Sequence, residues 1–478
     1  MFTEIQRELQ EFYQSWSGQP PKSIVPVSAH GSGRRYYRIY GDRSSVIGVL
    51  NADRRENIAF LKLTEHFQTY QLPVPEIYAA DLDRHIYLEQ DLGDDTLYSL
   101  GIQLRCGGAL PGRLIQMYKQ VLSVLPQFQI TAGRNLDYSV CYPREQFDGQ
   151  SIRWDLNYFK YYFLKLADIR FDEQALEDDF DRFTEYLLYT ERDFFLYRDF
   201  QSRNIMWFQD RPYFIDYQGG RKGALQYDVA SLLLDSKADL PWAVRDELLE
   251  HYVEVVRTLV PIRPEIFLQH YYGYALVRLM QVFGAYGLRG LYEGKAHFLH
   301  SIPYALQNLE GLLERSHLPI PLPALTDAWR QLIQSQSLRK LGAKPGLGLT
   351  VHVQSFSYKD GLPRDKTGHG GGFVFDCRAL PNPGRFPEYS LLTGQDAEVI
   401  RFLDRELAVK RFLEQASCLV DQAVEHHRGR GFSDLTVAFG CTGGQHRSVF
   451  CAERLASHLS LQGEVQIDLH HRELERKL

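Results

Sequence analysis

The sequence predicts an α+β protein in three parts: a small strand-rich lobe, a larger helical lobe and a separate small α/β domain. Three observations predict it. The first ninety or so residues alternate apolar strands with turns, and helical periodicity dominates from Thr96 to about His317. Beyond a polar, glycine-containing stretch from Ser335 to Gly348, a strand runs into a glycine-rich loop that opens a helix. At 478 residues the chain is too long for one ordinary core, so more than one domain is expected. With 44% hydrophobic and 24% charged residues, it has the composition of a folded protein.

In order along the chain, Met1 to Leu9 is an amphipathic charged segment without the basic start, apolar centre and small-residue cleavage site of a secretory signal. Arg34 to Tyr40 and Ser45 to Leu50 flank Gly41-Asp42, a hairpin signal. Asn57 to Tyr70 has helical periodicity, with Ile58, Leu61, Leu63, Phe67 and Tyr70 on the apolar side, and Pro73-Val74-Pro75 ends it. His85 to Glu89 reads as a strand, and Glu89-Gln90-Asp91-Leu92-Gly93 stands where a hinge between lobes would be. Pro319, Pro321 and Pro323 punctuate the end of the helical lobe. Further on, Leu349 to Val353 and Phe373 to Asp376 read as strands, 398–426 as helices and Leu435 to Phe439 as a buried strand. The expected boundaries are 1–330 for the first body (lobes 1–93 and 94–330), 331–348 for a linker and 349–478 for the last domain.

The net charge of -6, from 60 acidic and 54 basic residues interspersed along the chain, gives no support to nucleic-acid binding. No run approaches the length needed to cross a bilayer, so no membrane partner is expected. The six cysteines are scattered without a Cys-x-x-Cys pair, which argues against a disulfide framework or structural zinc and fits a reducing cytoplasm. Oligomeric state is left open.

The chemistry concentrates in Tyr197-Arg198-Asp199-Phe200-Gln201-Ser202-Arg203-Asn204, followed by Ile215-Asp216-Tyr217-Gln218-Gly219. An Asp five residues before an Asn, then a second Asp behind an apolar strand, is the spacing of a kinase loop. Phosphoryl transfer needs a carboxylate to orient or deprotonate the acceptor hydroxyl, and hard oxygens to hold magnesium on the phosphates. Singly, Asp199 as a turn residue, Asn204 as a helix cap and Asp216 as a strand-end group are each more common than catalysis. The ordered set is what points to a nucleotide site.

Over roughly residues 25–310 the chain resembles the aminoglycoside phosphotransferase-like kinases, and within them the N-acetylmuramate/N-acetylglucosamine anomeric kinase group. The resemblance is carried by the loop above, Gly31-Ser32-Gly33-Arg34-Arg35-Tyr36-Tyr37-Arg38, Leu88 to Gly93, and Tyr227-Asp228-Val229-Ala230-Ser231-Leu232-Leu233. It implies a bilobal protein-kinase-like fold using ATP and Mg2+. It also implies Asp199 as base or orienting carboxylate, Asn204 and Asp216 as magnesium ligands and Asp228 as a brace for the loop. Gly31, Ser32, Gly33, Arg34 and Arg35 would meet the nucleotide phosphates, and Gln90 to Leu92 the adenine. Two positions depart from most kinases. The third-strand lysine is absent from Val46 to Asn51, where Arg34 or Arg35 could supply the charge, and Tyr197 replaces the usual His. Trp154 and Asp155, in Arg153 to Asn157, form either a sugar-binding wall or a plain helix start, and Arg203 is a further substrate candidate.

The second site is Gly440-Cys441-Thr442-Gly443-Gly444-Gln445-His446-Arg447-Ser448. Its strand, glycine loop and helix aim backbone N–H groups and a helix N-terminus at an anion. Cys441 and Arg447, spaced Cys-x5-Arg, suit either a nucleophilic thiolate or a site that only holds phosphate. Over roughly 350–478 the chain resembles the C-terminal domain of the RNase adaptor RapZ, through Ser355 to Pro363, Phe375 to Pro383, Leu392 to Gly394, the Cys441 loop and His471 to Glu475. That resemblance implies a sensor of glucosamine-6-phosphate in which Cys441, Thr442, Gly443, Gly444, His446 and Arg447 cradle the phosphate, with Asp376, Arg378 and Asn382 nearby. Gln445 stands where that family commonly has Lys, and His369 to Gly372 has no assigned role.

Together these resemblances imply an ATP- and magnesium-dependent kinase of the anomeric hydroxyl of an N-acetylated amino sugar, fused to a domain that binds a phosphorylated amino sugar. The rivals are a nucleotide-binding pseudokinase regulator, motivated by the missing lysine, and a phosphotransferase for aminoglycosides or other small molecules.

Overall fold

The structure is a computed structural model, and it describes residues 4–27, 33–42, 44–104, 111–341, 349–363, 372–429, 432, 434–462 and 465–475. It divides into two compact units, Met1–Gly342 and Ala343–Leu478.

The first unit begins with helix α1 (Glu4–Ser17), then strands β1 (Ser23–Val27), β2 (Arg35–Tyr40) and β3 (Ser45–Leu50). Helix α2 (Arg54–Thr69) precedes β4 (Ile77–Asp81) and β5 (Ile86–Gln90). The five strands form an antiparallel sheet in the order β1-β2-β3-β5-β4. Period-two alternation gives it two apolar faces. On one face Ile39, Val46, Ile86 and Leu88 meet Leu9 and Tyr13 of α1. On the other, Val49 and Tyr87 join Phe60, Leu63 and Phe67 of α2. Asp53 caps α2, accepting from the N–H groups of Arg55 and Glu56. The amphipathic opening segment is thus a helix that closes the outer face of the sheet, a docking that its own pattern did not specify.

The helical lobe contains α3 (Leu97–Leu104), α4 (Gly112–Pro126), α5 (Gly149–Phe159) and α6 (Glu173–Leu188). Four short strands follow: β6 (Phe194–Leu196), β7 (Ile205–Phe208), β8 (Arg211–Phe214) and β9 (Arg221–Gly223), paired β6 with β9 and β7 with β8. Then come α7 (Gln226–Leu233), α8 (Trp242–Leu259), α9 (Pro264–Tyr286), α10 (Ala296–Leu299), α11 (Ile302–Arg315), α12 (Pro323–Gln334) and α13 (Gln336–Lys340). Buried residues on every side of α9, among them Tyr271, Tyr274, Leu276, Arg278 and Phe283, make it the central helix of the lobe. The fold is the expected bilobal kinase-like one. The linker expected from 331 begins later, because α12 and α13 carry Leu332 and Leu338 into the core of this unit.

The second unit has β10 (Thr350–Ser357), β11 (Gly372–Asp376), α14 (Ala397–Arg405), α15 (Leu407–Gly429), β12 (Asp434–Cys441), α16 (Arg447–Gln462), β13 (Gln466–His471) and α17 (Arg472–Glu475). Its four strands are all parallel, in the order β11-β12-β10-β13. A parallel sheet is covered on both faces, which is why β12 reads as a continuous apolar run. Among the described residues, no helix is long and apolar enough to cross a membrane.

His352, on β10, pins both neighbouring strands: Nε2 lies 2.8 Å from Asp434 Oδ1 and Nδ1 2.7 Å from Asp468 Oδ2. Burial alone would push this imidazole down, but the two carboxylates outweigh burial and hold it above its ordinary value of 6.5. A raised native value means that the stabilisation is complete below the unfolded value and is lost as pH rises through the folded one. Denaturant titrations of the 343–478 fragment should therefore show stability falling as pH climbs above about 6.5. His352→Gln should flatten that fall; an unchanged pH profile in the variant would contradict the assignment.

Candidate active site

The segment from Tyr197 to Asn204 joins β6 to β7, and Asp216 follows β8. Two residues here adopt left-handed backbone, Arg198 at φ 82 and Asp216 at φ 67. Such conformations persist only where the surroundings over-determine them. Around Arg198 the determinants are visible. Buried Asp228 on α7 accepts the N–H groups of Tyr197 at 2.8 Å and Arg198 at 3.0 Å, and the Gln129 amide at 2.9 Å. Burial pushes the Asp228 carboxyl up to about 7, against the pull of those donors. The Arg198 guanidinium in turn grips Asp155 through two hydrogen bonds of 2.7 and 2.6 Å and also donates to the Tyr227 hydroxyl. Asp155, expected among the substrate candidates, is buried beneath the loop, and its carboxylate positions Arg198 instead.

Asp199, Asn204 and Asp216 come together. The Asn204 amide nitrogen donates to the Asp199 carbonyl at 2.9 Å and to Asp216 Oδ2 at 3.1 Å. Asp216 Oδ1 receives Gln218 Nε2 at 2.6 Å and Arg34 Nη1 at 3.1 Å. Burial raises the Asp216 carboxyl and Arg34 opposes the rise. Arg278 of α9 stands 3.6 Å from Asp199 Oδ1. With both hydrogen bonds of the Asn204 side chain made by nitrogen, its Oδ1 and the Asp216 carboxylate are the oxygens offered. That is the hard-oxygen pair a magnesium ion takes when phosphates and water complete its shell. The residues fit such an ion.

Arg34 is the residue that the missing strand lysine leaves to be found. Almost wholly buried, it bridges Asp216 and, at 2.6 Å, Glu56 in the first turn of α2. A guanidinium therefore links helix α2 of the small lobe to Asp216 of the large one. Arg35 is exposed on β2, and Gly31 and Ser32 lie outside the described residues, while a Cβ on Gly33 would meet nothing within 4 Å. At the hinge, the Gln90 N–H already donates to the Glu76 carbonyl at 2.8 Å and Leu92 is buried. Asp91 is fixed by Arg38 through bonds of 2.7 and 3.0 Å and by Ser45 at 2.6 Å. Trp154 is exposed, with the Arg144 guanidinium 5.4 Å from its ring.

In the second unit, β12 ends at Cys441 and α16 starts at Arg447. Cys441 Sγ accepts the Gly444 N–H at 3.2 Å and lies 3.2 Å from the Ser448 hydroxyl. Burial would raise this thiol, but those hydrogen bonds outweigh it and bring it below its ordinary value. Gly444, at φ +66, is required: a Cβ there would stand 2.3 Å from Glu473 Cγ. Arg447 differs from the expected free clamp. Its Nη1 holds the carbonyls of Arg378 at 2.8 Å and Leu380 at 3.0 Å, and its buried Nε has no partner among the described residues. A grip on phosphate would have to come from Nε and Nη2. Arg378 pairs with Asp376 at 2.7 Å, Asn382 caps a turn through the Gly384 N–H at 3.2 Å, and the His446 ring lies 2.9 Å from the Tyr389 carbonyl. Thr442 and Gly443 are exposed. Gln445, where the related domains commonly have Lys, ties the loop to the carbonyls of Ser390 and Leu392 at 3.2 and 2.7 Å.

The phosphotransferase enzyme family model matches residues 23–261. The chain belongs to that family. In addition, the RapZ C-terminal domain model matches residues 349–475 of this phosphotransferase-family chain. Among curated relatives, a "Nucleotide-binding protein" of Xanthomonas oryzae pv. oryzae is 38% identical over 179 residues, covering 33% of this chain and 62% of the relative. One from Xanthomonas campestris pv. campestris is 38% identical over 189 residues, covering 37% and 64%. The chain thus spans less than two thirds of the length of these relatives. Solved structures similar to the chain include the amicoumacin kinase hAmiN in complex with AMP-PNP, Ca2+ and Ami (TM-score 0.47, 12% identity, 68% of this chain and 97% of that one). Choline kinase LicA from Streptococcus pneumoniae is another (TM-score 0.42, 14% identity, 65% and 100%).

Sequence reasoning missed Glu56, Arg278 and Gln129, and it gave Ser448 no role within the Cys441 loop. Glu56 carried a signal, an acid in the first turn after the Asp53 cap, and Ser448 directly follows Arg447. Arg278 reaches Asp199, and Gln129 reaches Asp228, from distant helices with no local sign. Asp228→Ala should lower the unfolding free energy by about 3 kcal/mol, since each buried donor left without an acceptor costs about 1–3 kcal/mol. Urea denaturation checks this, and a loss below about 1 kcal/mol would contradict the bracing role.

Proposed function

We propose that the first unit is an ATP- and magnesium-dependent kinase of the anomeric hydroxyl of an N-acetylated amino sugar, N-acetylmuramate or N-acetylglucosamine. The second unit, in this reading, binds a phosphorylated amino sugar such as glucosamine-6-phosphate. The observation that carries the kinase reading is the convergence of Asp199, Asn204 and Asp216 with Arg34 held on Glu56. Asp199 orients the acceptor hydroxyl and takes its proton as the new O–P bond forms and the bond from the γ-phosphorus to the β,γ-bridging oxygen of ATP breaks, releasing ADP. Asn204 and Asp216 hold the magnesium, which when bound neutralises phosphate charge. Arg34 brings to the cleft the positive charge that β3 lacks, which weighs against the pseudokinase reading. The cytoplasm, where ATP is supplied, is the proposed setting.

Support for the sugar and its anomeric position comes from the resemblance in sequence. The second unit adds a cradle suited to a phosphate: the Cys441 loop, the N-terminus of α16 and the free Nε of Arg447. That cradle pairs amino-sugar phosphate binding with amino-sugar phosphorylation in one chain.

Asp199→Asn and Asp216→Ala should each cut sugar-dependent ATP consumption by about 10² or more while leaving the protein folded. Wild-type turnover in purified Asp216→Ala would sink the kinase reading. Phosphorus NMR should show an acid-labile sugar 1-phosphate, whereas a 6-phosphate would keep the kinase and overturn the anomeric assignment.

For the second unit, calorimetry should detect glucosamine-6-phosphate binding to the 343–478 fragment. Gly443→Glu should abolish it, because a Cβ there meets nothing within 4 Å and the added carboxylate would repel a bound phosphate. Cys441→Ser should leave binding largely intact. A phosphatase activity that disappears in Cys441→Ser would instead make this unit an enzyme.

A further inference from the structure

Beside Asp199 lies a cavity of about 200 Å3 lined by Asp199, Arg203, Asp235, Arg278, Tyr286 and Phe298, among others. An acceptor whose hydroxyl meets Asp199 would extend into it. Its charges are unequally satisfied. Asp235 accepts the Ser202 N–H at 3.2 Å and the Ser202 hydroxyl at 2.6 Å. Arg278 donates to Ser231 at 2.9 Å and to Gln281, and approaches Asp199 at 3.6 Å. Arg203 is different. Its guanidinium lies 6.0 Å from the Tyr98 ring, and its Nε is buried with no hydrogen-bond partner among the described residues. A second cation is close by, since burial first and the charge of Arg203 next depress the Lys237 ammonium to about 8. A buried charged donor without an acceptor is costly, and a planar guanidinium is matched by a carboxylate.

We propose that the acceptor carries an anionic substituent, a carboxylate, and that Arg203 is the residue that reads it. The inference rests on the sugar-kinase reading and narrows it. Of the two acetamido sugars, N-acetylmuramate bears a carboxylate and N-acetylglucosamine does not, so the acidic sugar is the preferred acceptor. The neutral sugar leaves the Arg203 Nε without an acceptor, while the acidic one supplies a charge-assisted hydrogen bond in a partly desolvated site.

The test is the ratio of kcat/KM for N-acetylmuramate over N-acetylglucosamine, measured on the full chain with ATP and magnesium. The wild-type ratio should be about 10 or more, as one charge-assisted contact allows. Arg203→Met should bring the ratio near one, mainly through KM for the acidic sugar, and Arg203→Lys should restore part of it. A wild-type ratio near or below one overturns the inference, and so does an Arg203→Met protein that keeps the full preference. Both of those results leave the sugar-kinase reading standing. Phosphorylation of choline or an aminoglycoside, with neither sugar turned over, overturns that reading and this inference together.

Discussion

Everything in the first unit's candidate site hangs on a buried carboxylate that accepts backbone hydrogen bonds. Asp228 takes the N–H groups of Tyr197 and Arg198 from below, and Gln129 adds a third donor from another helix. The loop it holds is not a relaxed one. Left-handed backbone at Arg198 is the kind of strain that costs about 1–3 kcal/mol and survives only under external constraint. With Arg198 also locked onto Asp155 and Tyr227, the loop has one geometry, and that geometry presents Asp199 and Asn204 toward Asp216. Preorganisation of this sort is what phosphoryl transfer requires, since most of its catalysis is positioning and charge.

Charge is where the chain departs from most kinases. A lysine on the third strand would be tethered to a helix carboxylate. Here β3 has none, and Arg34, just ahead of β2, reaches Glu56 of α2 with one arm and Asp216 with the other. Guanidinium and ammonium are not interchangeable: the fork spans two carboxylates at once, so one side chain ties the small lobe to the large. That arrangement satisfies Asp216 with Arg34, Gln218 and Asn204 together.

What could be read from the sequence follows physical range. Strong periodicity and turn chemistry made the β2–β3 hairpin, α2 and the β12–loop–α16 unit legible, because each is dictated by neighbours in the chain. The set Asp199, Asn204 and Asp216 was legible because loop and strand lengths fix its spacing. The part Asp155 plays was not legible, since its partner, Arg198, lies on a loop that only folding brings over α5. The linker was placed too early because the amphipathic α12 and α13 follow a run of prolines that mimics a domain end. Arg447 looked like a free phosphate ligand because the carbonyls it holds, at Arg378 and Leu380, belong to another part of the sheet's edge. Distant tertiary partners leave no local trace.

The central claim is that Arg34 takes the part of the absent strand lysine, so that the cleft is a working nucleotide site. The most direct measurement is the affinity for magnesium ATP, by calorimetry, of wild type against Arg34→Met. Loss of a charge-assisted contact to phosphate should weaken binding by about tenfold or more. Undiminished affinity in Arg34→Met, with sugar-dependent turnover also unchanged, would contradict it.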